Sequence, residues 1–150
     1  MFLFDRDALR QPNEAAFVRE GNVRFQDVDA AGIVFFSRVL DYCHDLLVAF
    51  YAEAGAPLDQ VLRDRTFLAP IRHAQAEYRK PLRFGDRLEV ALVRAHVEPT
   101  EVTLGFRVAR VPGREACVYA QTVLTFLDPA SFQRRDVPEV LKKAFAALGE

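Results

Sequence analysis

The chain has 150 residues, a length that fits one domain with a substantial core. Hydrophobic residues make up 51% of it, which excludes a disordered chain, and the formal net charge of -1 gives no general attraction to nucleic acid or to an anionic membrane. The acidic start, Met1–Asp7, does not resemble a signal peptide, and no apolar run approaches the ~20 residues that cross a bilayer. We therefore expect a soluble, cytoplasmic protein.

The two cysteines, Cys43 and Cys117, lie inside apolar periodic segments rather than in a spaced framework. This placement predicts reduced core thiols, as in a cytosolic protein. The cysteines and the three histidines show neither CxxC nor HExxH spacing, so we expect no metal site and no other cofactor. The histidines are His44, His73 and His96.

The first part of the chain predicts a leader, a strand, a turn and a helix, in that order. Residues 1–16 have the composition of a polar leader, with a break at 11–13. Apolar and polar residues alternate from Phe17 to Phe25, which predicts a strand, and Gly32 allows a tight turn. The segment Ser37–Ala54 then predicts a long helix.

This long helix carries apolar residues around most of its circumference, with only a narrow polar stripe. So wide an apolar arc indicates a helix enclosed by other elements rather than one lying on a surface. Gly55 and Pro57 are typical of a helix end, and a shorter helix is predicted over Leu58–Asp64.

The remainder of the chain predicts four strands joined by short turns, then a C-terminal helical segment over 137–150. The predicted strands are Ile71–Tyr78, Arg87–Val97, Val102–Val111 and Ala116–Leu127, and the closing helix is Val137–Leu148. This order predicts an α+β fold in which a curved antiparallel sheet wraps around the long helix, with a polar outer face. An open strand edge would remain, and pairing of that edge between two copies predicts a dimer.

One run combines features that acyl transfer requires. An extended lead-in from Arg24 ends in two carboxylates, Asp27 and Asp29, followed by a small-residue turn and the apolar helix. This order can aim a carboxylate and the N–H groups of a helix start at one point. From the local pattern alone, Asp29 is equally well a turn aspartate bonded to its own backbone.

The same run, F-x-D-x-D-x-x-G-x-V-x-F over residues 25–36, resembles the hotdog-fold acyl-CoA thioesterases of the 4-hydroxybenzoyl-CoA thioesterase family. A second match is Tyr78–Leu88, and the resemblance extends from about Phe17 to Leu127. It implies a single hotdog thioesterase domain over 1–150. Cys43-His44 and the segment 70–74 resemble the corresponding sequences in the branch of this family that hydrolyses 1,4-dihydroxy-2-naphthoyl-CoA.

The resemblance also implies roles for particular residues. Asp29 becomes the catalytic carboxylate, as nucleophile or as general base, and the backbone N–H of Phe36 binds the oxyanion. The active site lies where two subunits meet, with coenzyme A as part of the substrate. Residues expected to contact the substrate are Gly32, Val34, Phe35, His44, Phe67 and His73. Where some relatives carry a basic cluster for the nucleotide phosphates, this chain has the acidic turn 96–101.

Several of these residues also have structural interpretations. His44 is more simply a core histidine, whereas His73 is as easily a residue of the acyl pocket that bonds a ring hydroxyl. We interpret Asp27 as structural, bridging the loop or an arginine. A basic stretch fits a solvated sheet face slightly better than a phosphate site. Its members are Arg72, Arg79, Lys80, Arg83 and Arg87.

The sequence therefore predicts a homodimeric or homotetrameric acyl-CoA thioesterase that favours an aromatic acyl group, without nucleic-acid or membrane partners. One alternative is a thioesterase for short aliphatic acyl-CoA or carrier-bound acyl chains. A hotdog dehydratase would need a histidine near Asp29, and none lies near it in the sequence. A non-catalytic acyl-CoA-binding module is the alternative from another class.

Overall fold

A computed structural model of the chain describes residues 3–10 and 14–150. The break expected at 11–13 lies outside the described residues. The helices are α1 (Arg6–Arg10), α2 (Arg38–Glu53), α3 (Leu58–Asp64) and α4 (Glu139–Ala146), and the strands are β1 (Phe17–Asn22), β2 (Ile71–Tyr78), β3 (Arg87–Val97), β4 (Glu101–Val111) and β5 (Glu115–Thr125).

The strands form one antiparallel sheet in the order β1-β3-β4-β5-β2, so β1 and β2 are its edges. Irregular pairing at three places, including Leu92/Arg94 in β3, bends the sheet around α2. The helix buries Cys43, Leu47 and Phe50 against the concave face, and the Phe50 ring stacks on Phe145 of α4 at 5.0 Å between ring centroids. The predicted α+β architecture is confirmed.

The predicted C-terminal boundary of the first strand is wrong. Pairing with β3 stops at Asn22, and Phe25–Asp27 forms a single 3₁₀ turn instead of continuing the strand. The reason is local: the Asp27 N–H bonds back to the Arg24 carbonyl at 3.1 Å, which turns the chain away from the sheet. Phe25 consequently points outward, with 75% of its surface exposed.

The expected polar leader and polar outer sheet face also need correction. Phe4 and Leu9, on either side of the start of α1, are buried against the outer face, where they cluster with Tyr119 of β5. Gly105 of β4 makes room for them, because a Cβ there would lie 2.4 Å from a methyl carbon of Leu9. Two apolar residues in a polar segment are too few to give a periodic signal.

Both cysteines are free and buried, which confirms the prediction of core thiols. Burial raises the pKa of Cys43 to about 12 and also raises the pKa of Cys117. Across residues 3–10 and 14–150, no group of three or more histidine, cysteine, aspartate or glutamate side chains is arranged to hold a metal ion. None of the helices described is both long and apolar enough to span a membrane.

Candidate active site

The run that the sequence singled out folds as a miniature hairpin in front of α2. The Phe35 N–H bonds to the Asp27 carbonyl at 2.8 Å, and the Asp29 N–H bonds to the Ile33 carbonyl at 3.0 Å. Gly32 closes the turn by donating to the Asp29 carbonyl at 3.0 Å, with φ of 75°. A Cβ on Gly32 would meet no atom within 4 Å, so the left-handed backbone, not lack of space, is what favours glycine here.

The hairpin is fixed on its other side by the segment that precedes β3. The Val34 N–H donates to the Leu82 carbonyl at 2.8 Å, and Ile33 forms a β-bridge with Arg83. The Val34 side chain is buried in the main core. Because both sides of the hairpin are bonded, its turn has a defined position relative to the start of α2.

The carboxylate of Asp27 ties the hairpin to α2. It is buried, and its Oδ2 accepts hydrogen bonds from the Arg24 guanidinium at 2.7 Å and the Tyr42 hydroxyl at 2.8 Å. Burial alone would raise the pKa of Asp27, but these two bonds and the charges of Arg24 and Arg38 together hold the pKa below its usual value. The predicted structural role, bridging to an arginine, is confirmed. Burial and the same carboxylate raise the pKa of Tyr42 to about 12.

Asp29 lies at the exposed tip of the hairpin. Its Oδ1 accepts the Ala31 N–H at 2.8 Å, so it is indeed a turn aspartate bonded to its own backbone. Its other carboxylate oxygen has no hydrogen-bond partner in the part of the chain that the structure describes. One oxygen therefore orients the group while the other stays free to react, so the structural and the catalytic interpretation are compatible.

The backbone N–H of Phe36 is the second group that the sequence singled out. Nothing within the described residues accepts a hydrogen bond from it, although its neighbour Phe35 is bonded. The Phe36 carbonyl, by contrast, accepts a bond from the Tyr78 hydroxyl, at the end of β2. Because α2 begins two residues later, the unpaired donor lies at the positive end of the helix dipole.

Sequence reasoning did not assign a role to Tyr78. The available signal was its position as the first residue of the second matched segment, Tyr78–Leu88. It lines a pocket of about 280 Å³ together with Ile33, Val34 and Leu82. The hairpin, the end of β2 and the segment before β3 thus line one pocket, and Tyr78 of that lining bonds to the Phe36 carbonyl.

Exposed aromatic rings lie on the hairpin and on the segments that contact it, and we call these rings (Phe25, Phe35, Phe36, Tyr78 and Phe84) the aromatic surface. Phe25 and Phe84 meet edge to face at 5.6 Å, and Phe35 and Phe36 lie 4.8 Å apart between ring centroids. Phe36 is 64% exposed, Phe84 59% and Tyr78 46%. Exposed aromatic rings grouped in this way are typical of a binding or association surface.

The remaining predicted contact residues do not all gather here. His44 is exposed on α2, and its imidazole has no hydrogen-bond partner among residues 3–10 and 14–150, so its interpretation as a core histidine is wrong. His73 is half-buried on the edge strand β2, with Nε2 3.3 Å from the Gln75 side-chain oxygen. Phe67 packs in the core against Tyr51 of α2. Tyr51 lies about 20 Å along α2 from the start of the helix, so the fold of a single chain does not bring Phe67 to Asp29.

Most of the basic stretch is paired with carboxylates rather than available to phosphates. The pairs are Arg72 with Glu101, Arg79 with Glu77, Lys80 with Glu115 and Arg87 with Glu20. The exception is Arg83, whose guanidinium has no partner in the described ranges. Arg83 forms a β-bridge with Ile33 of the hairpin, whereas Arg79 and Lys80 line the pocket beside the hairpin.

A curved five-stranded antiparallel sheet around a long helix, with this hairpin at the helix start, is the hotdog fold. The profile of the Thioesterase-like superfamily matches residues 23–145, and the chain belongs to this family. It is 33% identical over 121 residues to the 1,4-dihydroxy-2-naphthoyl-CoA hydrolase of Synechococcus elongatus, covering 80% of this chain and 88% of that one.

Two solved structures share the fold. A 1,4-dihydroxy-2-naphthoyl-CoA thioesterase from Synechocystis superposes with a TM-score of 0.81 at 22% identity, covering 87% of this chain and 96% of that one. A gentisyl-coenzyme A thioesterase superposes with a TM-score of 0.75 at 23% identity, covering 85% and 98%. At these identities the likeness concerns the fold.

Proposed function

We propose that this protein is an acyl-CoA thioesterase that hydrolyses an aromatic acyl-CoA of the 1,4-dihydroxy-2-naphthoyl type. The observation that carries the proposal is the pair of unsatisfied groups on one fixed hairpin: a free carboxylate oxygen of Asp29 and the free N–H of Phe36. The relative from Synechococcus elongatus, 33% identical, supports the choice of substrate by its name.

The chemistry needs a carboxylate and an oxyanion donor. The thioester carbonyl oxygen accepts the Phe36 N–H, which stabilises the negative charge that develops there; one such donor contributes about 3 kcal/mol in well-studied hydrolases. In one route, the Asp29 carboxylate attacks the carbonyl carbon, the carbon–sulfur bond breaks, and the coenzyme A thiolate leaves and takes a proton from solvent; water then hydrolyses the acyl–Asp29 anhydride and restores the carboxylate. In the other route, Asp29 takes the proton of a water that attacks the carbonyl carbon, the carbon–sulfur bond breaks, and Asp29 returns the proton to the departing thiolate. Beyond the coenzyme A of the substrate, this scheme requires no cofactor.

The acyl group is proposed to be aromatic because of what surrounds the reactive pair. Phe35 and Phe36 offer flat faces beside the oxyanion donor, and the adjoining pocket of about 280 Å³ has mainly apolar walls near α2. His73, half-buried on β2, is a candidate partner for a ring hydroxyl. Arg83, the unpaired cation beside the hairpin, is our candidate for contact with a phosphate of coenzyme A.

We further propose that two copies complete the site. Asp29 and the aromatic surface are open to solvent in a single chain, whereas acyl transfer benefits from exclusion of water. The edge strand β2, which carries His73 and Tyr78, has one side without a strand partner. Pairing of β2 with a second β2 would cover this edge and bring a second chain to the site. The free, buried thiols fit a cytoplasmic location.

A panel of thioesters tests the proposal. Release of the coenzyme A thiol is followed with 1,4-dihydroxy-2-naphthoyl-CoA, 4-hydroxybenzoyl-CoA, benzoyl-CoA and butyryl-CoA. We expect the largest kcat/KM with the hydroxylated aromatic groups, and a site that bonds the hydroxyl can discriminate against benzoyl-CoA by up to about 10⁴.

Other outcomes separate the alternatives. Butyryl-CoA as the best substrate would refute the aromatic specificity and leave thioesterase chemistry standing. Equal rates for 4-hydroxybenzoyl-CoA and benzoyl-CoA would refute only the proposed contact between a histidine and the ring hydroxyl. Tight binding without turnover of any member would favour a non-catalytic acyl-CoA-binding module.

A further inference from the structure

A second cavity lies between α2 and the edge strand β1, at the opposite edge of the sheet from β2. Its volume is about 380 Å³, larger than the pocket of about 280 Å³ beside the hairpin, and the two cavities share no lining residue. Its apolar lining includes the buried side chains of Leu46, Leu88 and Val90. We call this cavity the β1 groove. The hydrolysis proposed above makes no use of it.

The β1 groove is open at the point where β1 lacks a side chain. Gly21 pairs with Leu88, and paired residues of an antiparallel sheet point to the same face. Leu88 belongs to the helix-side core, so position 21 faces α2 across the β1 groove. A Cβ on Gly21 would meet no atom within 4 Å.

The backbone does not require glycine at this position. The φ of Gly21 is outside the left-handed region, and the pairing of β1 with β3 is regular from Phe17 to Asn22, without a bulge. A glycine inside a strand weakens the strand, and a remaining common reason for one is the close approach of a ligand or of another backbone. The missing side chain is therefore an observation that points to an occupant.

Most of the charged residues that line the β1 groove already have a partner of opposite charge. The exception is Asp45 on α2, whose carboxylate has no hydrogen bond or ion pair in the part of the chain that the structure describes. The β1 groove therefore carries one uncompensated negative charge. The existing pairs are Arg19 with Glu53, Glu20 with Arg87 and Arg24 with Asp27.

The position of Asp45 relative to Arg24 does not remove this charge. The hydrogen bond to Asp27 is the main cause that raises the pKa of Arg24, and the charge of Asp45 adds to it, so the two side chains are near each other. The Arg24 guanidinium is nevertheless bonded to Asp27, at 2.7 Å, and not to Asp45. The side-chain amide of Asn22, which also lines the β1 groove, has no hydrogen-bond partner among the residues described.

We propose that the β1 groove binds a small organic cation that carries an ammonium group on an apolar body. The apolar body takes the space that Gly21 leaves open beside Leu46 and Leu88. The ammonium group, with three N–H donors, pairs with the Asp45 carboxylate and donates to the side-chain oxygen of Asn22. An organic anion would meet the charge of Asp45 and find the two arginines of the lining already paired.

Three probes with one apolar body and different charges test the proposal. They are 2-phenylethylammonium, 2-phenylethanol and 3-phenylpropionate, each titrated into the full chain while the backbone amide resonances are followed by NMR. Gly21→Val fills the β1 groove from the strand, and Ala49→Leu fills it from α2. Asp45→Asn removes the charge. Asp59→Asn is the matched control, because it removes an exposed carboxylate of α3 outside the β1 groove.

We expect the ammonium probe to shift the amide resonances of Gly21 and Asn22, and to bind about threefold more tightly than the alcohol, the order that one partly exposed ion pair supports. The carboxylate probe should bind more weakly than the alcohol. Asp45→Asn should make the affinities for ammonium and alcohol equal, whereas Asp59→Asn should keep the difference. Both filling variants should lose binding of all three probes. Valine favours strands, and either filling variant suffices if the other does not fold.

Four results would overturn the proposal. These are no shift at Gly21 and Asn22 with the ammonium probe, an ammonium probe that binds no more tightly than the alcohol, unchanged binding in a folded filling variant, and an equal loss of the preference in Asp45→Asn and Asp59→Asn. The last result would indicate general attraction of cations to the surface. Because no probe is a thioester, these outcomes do not depend on whether the chain hydrolyses acyl-CoA.

Discussion

Removing the Tyr42 hydroxyl should expose how the candidate active-site hairpin is held. Tyr42→Phe keeps the ring in the core but takes away the 2.8 Å hydrogen bond to the buried Asp27 carboxylate. Loss of one donor to a buried, charged acceptor costs about 1–3 kcal/mol. We therefore expect the variant to be less stable than the wild type by that amount at pH near 8.

The difference in unfolding free energy between the wild type and Tyr42→Phe should decrease as the pH rises. The pKa of Tyr42 is about 12 in the folded protein against 10.0 for an ordinary tyrosine. Its contribution is therefore complete below pH 10 and is lost as the pH passes through the folded value. By linkage, up to about 1.4 kcal/mol of the wild-type advantage disappears at pH 11.

Urea unfolding of both proteins at pH 8 and pH 11, at one protein concentration, measures the difference in unfolding free energy. Tyr51→Phe is the matched control, because the Tyr51 hydroxyl is buried but has no hydrogen-bond partner within the described ranges. It should lose little or no stability at pH 8. A Tyr42→Phe variant as stable as wild type at pH 8, or a difference that stays constant to pH 11, would refute the proposed anchoring of Asp27.

Three further changes probe the site and the core. Asp27→Asn should lower the free energy of unfolding at neutral pH. The folded pKa of Asp27 is below its unfolded value of about 3.9, so the stability advantage of the wild type over the variant should be lost as the pH falls below about 3.9. Urea titrations over this pH range measure the loss. Tyr78→Phe should lower kcat roughly tenfold with little change in KM, because the Phe36 carbonyl loses its anchor; an unchanged kcat would argue against this role. Cys43 should react with a thiol reagent only after unfolding, because burial raises its pKa to about 12; rapid labelling of the folded protein would contradict its burial.

Much of the fold could be predicted because its signals are local. The bounds of α3, β2 and β3 agree with the sequence expectation, since alternation and turn residues such as Gly85 mark strand ends directly. The width of the apolar arc on α2 correctly indicated an enclosed helix. The packing of Phe4 and Leu9 on the outer sheet face had no comparable signal, because the space that Gly105 leaves for Leu9 depends on β4 lying beneath it.

The motif predicts Asp29 and Phe36 together because they lie on one continuous run, and their catalytic roles stay a prediction. The errors at Phe67 and His44 share a cause. Phe67 was assigned to the acyl pocket by residue type, but its position depends on long-range packing against Tyr51. His44 follows Cys43 on α2, and a rotation of about 100° per residue carries it from the core to the surface.

The most direct test of the account is the hydrolysis of 1,4-dihydroxy-2-naphthoyl-CoA by the wild type and by Asp29→Asn. The account predicts turnover by the wild type and a kcat lower by at least a hundredfold in the variant, the order expected for loss of a catalytic carboxylate. Stability should be unchanged, because the Asn side-chain oxygen can still accept the Ala31 N–H. Near-normal turnover by Asp29→Asn, particularly with loss of turnover in Asp27→Asn, would contradict it.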